Sequence, residues 1–326
     1  MTAPEILLLD EHDVDSLSMP AIALAAARHA AEIVASGDLT TDRVQVGDEL
    51  IWSRFLVGIL PPLDLLGYKQ FHRVEKRVRY TLHLFRRSTG DPMAMVDGRR
   101  ITSLRTAATA AVAVGHQVAP GATVRVGVVG SGEEAKEGLR MLAGTASVDA
   151  VRVFSPTQAN RDTYAAQLGD ELGVPIEPVT TVAAALCAAD VAYIATTAAG
   201  KPFLAFDDLA HVPIVAAIGS TRPDQRELKG DVLARAARVV VDCTDALREP
   251  GDVVDAVEGH SFDVKRAVLL GEELTAPRAD HPGPVVFKSI GSVEQDLVLA
   301  HHLVEAAVQS GRGRTADAVA SLRNMR

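Results

Sequence analysis

The sequence predicts an α/β protein of two domains, one a doubly wound parallel sheet and the other a smaller α+β layer. Three observations predict it. From Pro120 onward, short β-branched runs alternate with longer helical segments, the pattern of βαβ units whose sheet is covered on both faces. Upstream, "YKQFHRVEKRVRYTLHLFRRSTGDPMAMVDG" alternates apolar with charged residues and is broken by "STGDP" and "VDG", as in a mostly antiparallel meander with one wet face. A chain of 326 residues, 48% of them hydrophobic, is enough for two packed cores.

The elements follow in order. "MTAPEILLLDEHDV" sets acids around a short apolar run without a basic n-region, and no apolar stretch reaches about 18 residues, so a cytoplasmic chain with no membrane segment is expected. After the meander, "DGRRITSLRTAATAAVAVG" predicts an alanine-rich helix capped by Thr102 or Ser103, with Arg105 in its first turn. "TVRVGVVGSG" is a strand, Glu133 to Leu142 a helix, "DAVRVFSPT" a strand and "NRDTYAAQLGDELG" a helix. "VAAALCAADVAYIATT" holds a helix and a strand, "PIVAAIGS" is a strand, and "ARVVVDCTD" closes the series. A last helix, from about Ser292 to Ser310, precedes the polar tail "GRGRTADAV" and is expected to return to the first domain. The expected limits are therefore 1–118 with 292–326 for one domain and 119–291 for the other.

Charge narrows the partners. A net charge of −9 and 4% aromatic residues give neither a basic field nor stacking platforms, which excludes nucleic acid and points to a small molecule. Cys187 and Cys243 stand far apart without metal-ligand spacing, so they read as core fillers in a reducing compartment, with no metal site.

The turn "GSGEEA" carries the first site. Gly130 permits the tight bend, Gly132 lets backbone amides approach a pyrophosphate, and Ala135 supplies the small residue for close helix–strand packing. Placed between a strand and a helix, this is the dinucleotide fingerprint of a Rossmann domain, with Gly130, Ser131, Gly132, Glu133 and Ala135 at the cofactor and the Glu133 and Glu134 carboxylates turned to solvent. The second strand ends "VFSPTQANR" with no acid for a ribose 2′-hydroxyl. Ser155, Thr157 and Arg161 suit a 2′-phosphate, so NADP(H) is favoured over NAD(H), although Ser155 and Thr157 also suit helix capping. Thr196 and Thr197 at a strand end, and Ser289 near the last helix, complete the expected cofactor contacts.

Two cations in the first domain are candidates for an anion site. A first-turn Arg105 together with helix amides would hold a carboxylate, yet a solvated arginine fits the sequence equally well. Periodicity does not separate Lys69 from the solvated charges His72, Arg73, Glu75, Lys76, Arg77 and Arg79.

Five blocks in sequence, "GYKQF", "TGDPMAMVDGRRITSLRTAATAAVA", "VGVVGSGEEA", "AIGSTRPDQREL" and "VVFKSIGSVEQDLVLA", resemble the ornithine cyclodeaminase and mu-crystallin family. The resemblance implies a homodimer in which the N-terminal sheet and the C-terminal helix form the substrate-binding and dimerisation domain, beside a Rossmann domain that binds NAD(H) or NADP(H). It implies that Lys69 and Arg105 are catalytic and contact the substrate carboxylate. Arg43 is a weaker candidate for a further carboxylate arginine, with Arg54 as the alternative.

One departure points to the reaction. Cyclodeaminases carry an aspartate shortly after the fourth-block glycine, and alignment on Gly219, Pro223, Glu227 and Leu228 puts Thr221 there, with Asp224 outside the pocket. A neutral threonine suits an NAD(P)H-dependent reductase of a small imino acid, with hydride passing between nicotinamide and the nitrogen-bearing carbon. The alternatives are an ornithine or lysine cyclodeaminase and a non-catalytic NADP(H)-dependent ligand-binding protein.

Overall fold

Capping and alternation shape the first unit in a computed structural model that describes residues 5–75, 77–197 and 199–318. Strand β1 (Glu5–Leu9) leads into α1 (Glu11–Leu17), where Asp10 Oδ1 accepts from the Asp13 amide at 3.1 Å and Asp13 Oδ2 accepts from the Asp10 amide at 3.2 Å. Pro20 opens α2 (Pro20–Ser36) and Gly37, at φ +71°, closes it. Next come β2 (Thr40–Gly47), β3 (Ile51–Leu60), β4 (Leu65–Val74), β5 (Arg77–Arg86) and β6 (Pro92–Asp97), each antiparallel to the one before, while β1 lies parallel to β6. Strands β4 to β6 are the stretch that the alternation predicts, and β2 and β3 extend the meander ahead of it.

Helix α3 (Arg99–Gln117) corrects an expectation. It begins at Arg99, not at Thr102 or Ser103, because the Asp97 carboxylate accepts from the Arg99 amide at 3.0 Å. Thr102 behaves as an interior residue whose hydroxyl donates back to the Gly98 carbonyl at 3.2 Å. Arg105 therefore sits in the second turn, away from the amides that were to share its anion.

The second unit runs as β7 (Thr123–Val129), α4 (Glu133–Ala143), β8 (Ser147–Phe154), α5 (Gln158–Leu172), β9 (Ile176–Val179), α6 (Val182–Leu186), β10 (Val191–Ile194), α7 (Phe206–Leu209), β11 (Ile214–Ala217), α8 (Gly230–Arg235), β12 (Arg238–Val241), α9 (Gly251–Glu258), β13 (Ala267–Leu269), α10 (Leu270–Thr275) and β14 (Val285–Lys288). Its strands form one parallel sheet in the order β13-β12-β14-β11-β10-β7-β8-β9. The order reverses between β7 and β10, the switch point of a doubly wound sheet. The series does not close at β12 as expected. β14 enters between β11 and β12, and all four of its residues are buried.

The chain then returns. Helix α11 (Val293–Ser310) lies on α2 and on the face of β3 to β5, and a Cβ at Gly67 would stand 2.7 Å from Leu297 Cδ2. The residues expected to form a polar tail include a further strand, β15 (Arg314–Asp317), antiparallel to β1. Gly311 and Gly313, at φ +64° and +85°, turn the chain into it. The first sheet thus reads β15-β1-β6-β5-β4-β3-β2.

By contacts, one unit is Met1–Arg105 with Val293–Arg326 and the other Thr106–Ser292. The sequence pattern placed the limit at 118, but the later turns of α3 join the second unit, where Gln117 Nε2 donates to Glu273 Oε1 at 2.8 Å. Among the described residues, no single helix is long and apolar enough to cross a membrane. Cys243 is buried, whereas Cys187 is exposed and not the core filler expected.

The α2–α11 contact carries a pH-sensitive group of histidines. His29 Nδ1 and His302 Nε2 are 3.3 Å apart, and His301 Nε2 lies 3.5 Å from Glu305 Oε1. Burial holds His301 and His302 below the ordinary 6.5. Below that value the unfolded chain takes up protons that the folded chain refuses, so stability falls with pH. Melting temperature is expected to drop between about pH 7.5 and about pH 5.5, less steeply in His302→Gln. Equal slopes in the two proteins would remove His302 from this account.

Candidate active site

Strand parity places Lys69 inside. Leu65, Gly67 and Lys69 are buried and alternate with half-buried neighbours, so Lys69 faces α11 and is only 2% exposed. Its Nζ donates to both carboxylate oxygens of Asp296, at 3.0 and 3.0 Å, and to Thr102 Oγ1 at 2.8 Å. Arg105 Nε meets Asp296 Oδ1 at 3.2 Å, and its Nη1 lies 3.5 Å from Gln295 Oε1. Two cations thus converge on one carboxylate that is fully buried. The solvated class assigned to its neighbours holds for Arg73, Glu75, Arg77 and Arg79, which are exposed, while His72 is half-buried and Lys76 lies outside the described residues.

Register puts Arg43 on the same rung as Leu56 and Lys69, two strands out and exposed. Arg54 shares that face. Its Nε and Nη2 donate to Gln45 Oε1 at 3.0 and 2.6 Å, and its guanidinium lies over Trp52 and Phe71. The Phe71 and Tyr80 rings lie 5.9 and 5.4 Å from Lys69 Nζ, an aromatic border to the paired cations.

In the second unit the glycine turn has the shape the fingerprint requires. Gly130 adopts φ +117°, and a Cβ there would collide with the Ala195 carbonyl. Around Gly132, the N-cap of α4, a Cβ would meet nothing within 4 Å, which leaves open space in front of the helix amides. Room of this kind before helix amides fits a pyrophosphate. Ala135 is fully buried, and its carbonyl accepts from the Tyr164 hydroxyl at 2.9 Å. Glu133 is exposed and Ser131 half-buried; Glu134 is half-buried too, although it was expected in solvent.

At the tip of β8, Arg161 Nη1 donates to the Ser155 carbonyl at 3.1 Å. Thr157 is the N-cap of α5, but its side chain makes no capping bond. Ser289 is buried and donates to Asp242 Oδ2 at 2.7 Å, so its hydroxyl serves the loop before α11. The same carboxylate accepts from the Gly291 amide at 2.8 Å.

Glu227 holds the strand ends together. Its Oε1 accepts from the Thr196 amide and hydroxyl, both at 2.8 Å, and its Oε2 from the Gly219 and Ser220 amides at 2.9 and 3.2 Å. Burial pushes its carboxyl up, opposed by Lys288 and the Thr196 donors. Lys288 Nζ donates to the Ser220 carbonyl at 2.6 Å and lies 3.5 Å from Asp252 Oδ2. The loop so fixed carries Thr221, whose amide and hydroxyl both donate to Gln225 Oε1 at 3.0 Å. Gln225 Nε2 reaches the Thr197 carbonyl at 3.3 Å, tying the two loops again. Asp224 pairs with Arg222 at the surface.

The model of the ornithine cyclodeaminase/mu-crystallin family matches residues 68–311. The chain belongs to that family. The match spans both Lys69 and Asp296 as well as the whole Rossmann unit. A Delta(1)-pyrroline-2-carboxylate reductase of Bacillus cereus is 29% identical over 230 residues, 69% of this chain and 70% of the relative. The ketimine reductase mu-crystallin of Mus musculus is 31% identical over 230 residues, 70% of this chain and 69% of its own. In fold, the chain is similar to the iminosuccinate reductase of Paracoccus denitrificans in complex with NAD+, with a TM-score of 0.88 at 24% identity over 96% of this chain and 100% of that one.

For this family member, sequence reasoning missed the acids that organise each group of side chains: Asp296 in the first unit, and Glu227, Asp252 and Asp242 in the second. A signal existed for Asp296. "SVEQDLVLA" carries it into a helix whose next residues are apolar, so a charge there is drawn into the packed face and needs a partner.

Proposed function

We propose that the chain is a nicotinamide-dependent reductase of a small imino acid, or an amino-acid dehydrogenase in reverse. The observation that supports this reading is the convergence of Lys69 and Arg105 on the buried Asp296 carboxylate, a pair of cations side by side and suited to a substrate carboxylate. Lys69 and Arg105 hold the substrate carboxylate, and the Lys69 ammonium or an ordered water supplies the proton for the imine nitrogen. The bound nicotinamide supplies hydride. Thr221 is neutral and already bonded to Gln225, so position 221 offers no carboxylate for a substrate ammonium. The B. cereus and mouse relatives, both named for reducing a C=N bond, support the same class.

Cyclic imino acids and imines formed from 2-oxo acids with ammonia or methylamine, assayed with NADH and NADPH, test this directly. Consumption of reduced cofactor is expected, and proline formed catalytically from ornithine would replace the reading with a cyclodeaminase. NADPH is expected to bind more tightly than NADH, because the tip of β8 offers Thr157 and Arg161 and no acid. Arg161→Ala should weaken NADPH selectively, and tighter NADH in a direct titration would reverse the preference.

The working protein is a cytoplasmic homodimer in this reading. Exposed Val44 and Val46 on the edge strand β2 support a second copy as its cover, since bare apolar edges invite pairing. Light scattering that gives the mass of one chain would remove the dimer.

A further inference from the structure

We propose that Asp296 is a positioning residue of the site, keeping Lys69 an ammonium at the side of Arg105. The inference rests on the reductase reading for its kinetic consequence, but the arrangement of atoms argues for it alone.

Among the described residues, three acceptors take hydrogen bonds from Lys69 Nζ: the two Asp296 oxygens and Thr102 Oγ1. The Thr102 hydroxyl spends its own proton on the Gly98 carbonyl, so towards Lys69 it accepts. Three acceptors call for three N–H bonds, which an ammonium has and a neutral amine lacks. An amine would also turn its lone pair on a carboxylate or on the threonine oxygen.

The surroundings otherwise work against that charge. Lys69 is 2% exposed, and burial alone drives a lysine towards its neutral form. Arg105 adds like-charge repulsion from α3, sharing Asp296 Oδ1 with Lys69. Phe71 and Tyr80 border the ammonium from β4 and β5, and Arg54 and Arg43 occupy the same face of β3 and β2. From α11 come Asp296 and Gln295, with buried Glu294 in the same turn. Asp296 binds both cations, so it offsets both the desolvation and the repulsion. Without it, the proton that the imine needs leaves Lys69 before substrate arrives.

The chain has seven lysines, few enough for resolved signals after labelling with lysine carrying 13C at Cε. Lys69→Arg assigns the Lys69 resonance by its loss. In the wild type that signal should show no titration up to about pH 9.5, close to the ordinary lysine value of about 10.4. In Asp296→Asn its midpoint should fall by at least tenfold in proton affinity, and Asp296→Glu should restore most of the shift. The basic limb of kcat/KM for imine reduction should move with it, so that the loss in Asp296→Asn is at least tenfold greater at about pH 9 than at about pH 6. Titration of the wild-type signal below about pH 9.5 overturns the proposal even if Asp296→Asn does not fold. An unmoved midpoint in the folded variant, or an equal loss at every pH, also overturns it. Because the resonance is read without substrate, a wild type that reduces no imine would end the reductase reading while the role of Asp296 is judged separately.

Discussion

Arg105→Ala is expected to lower kcat/KM for the imino acid by the equivalent of about 2–4 kcal/mol, with KM rising, because it strips a charge-assisted contact from a desolvated carboxylate. The side chain is largely buried and donates to Asp296, so alanine also leaves that carboxylate with Lys69 as its cation. Folding should survive, since Asp296 keeps both Lys69 bonds. Arg105→Lys should recover little, because a point charge does not reproduce the guanidinium fork. Steady-state kinetics on variants with wild-type melting curves decide the matter. Near-normal kcat/KM in a folded Arg105→Ala protein would return the residue to a purely structural ion pair.

Glu227→Ala should cost the second unit about 3–5 kcal/mol of stability, the range for breaking a buried charged network. Four donors on two loops lose their acceptor: the Thr196 amide and hydroxyl and the amides of Gly219 and Ser220. Each unsatisfied buried donor carries a penalty of about 1–3 kcal/mol, reduced where water enters the space left behind. No larger residue than glycine fits at 219, because a Cβ there would strike the Glu227 carboxylate, so carboxylate and glycine work as a pair. Glu227→Gln should cost less, since one oxygen still accepts. Denaturant unfolding with cofactor titration reads both effects, and a loss under about 1 kcal/mol in Glu227→Ala would show that the loops hold without it.

Much of this was legible in the sequence, for identifiable reasons. The glycine turn was legible because Gly130, Gly132 and Ala135 are each dictated by a steric need that other residues fail to meet. The meander was legible because one of its faces is wet and the alternation survives. The strands β13 and β14 were not, since segments of three or four residues buried among others show no period. β15 was hidden for another reason: an edge strand of polar residues reads as a tail. At the site, Lys69 and Arg105 emerged from the family blocks and not from periodicity, although the buried parity of Leu65, Gly67 and Lys69 held the clue. Asp296 and Glu227 escaped because an acid near a helix start looks like a dipole partner, and an acid in a loop looks like surface. Their burial depends on residues far away in the chain.

The place of β14 in its sheet bears on how the protein is made. A ribosome delivers β7 to β13 first, yet the strand that belongs between β11 and β12 emerges after both. Until residues 285–288 appear, the middle of the sheet is an open slot with two unpaired edges, and Glu227 and Asp252 await the cation Lys288 that β14 brings. The N-terminal sheet waits longer still, because α11 and β15 follow β14. The second unit closes only after β14 has been made and the first only after β15 has, so the nascent chain carries exposed strand edges over most of its synthesis, when chaperones that shield such edges have the most to protect.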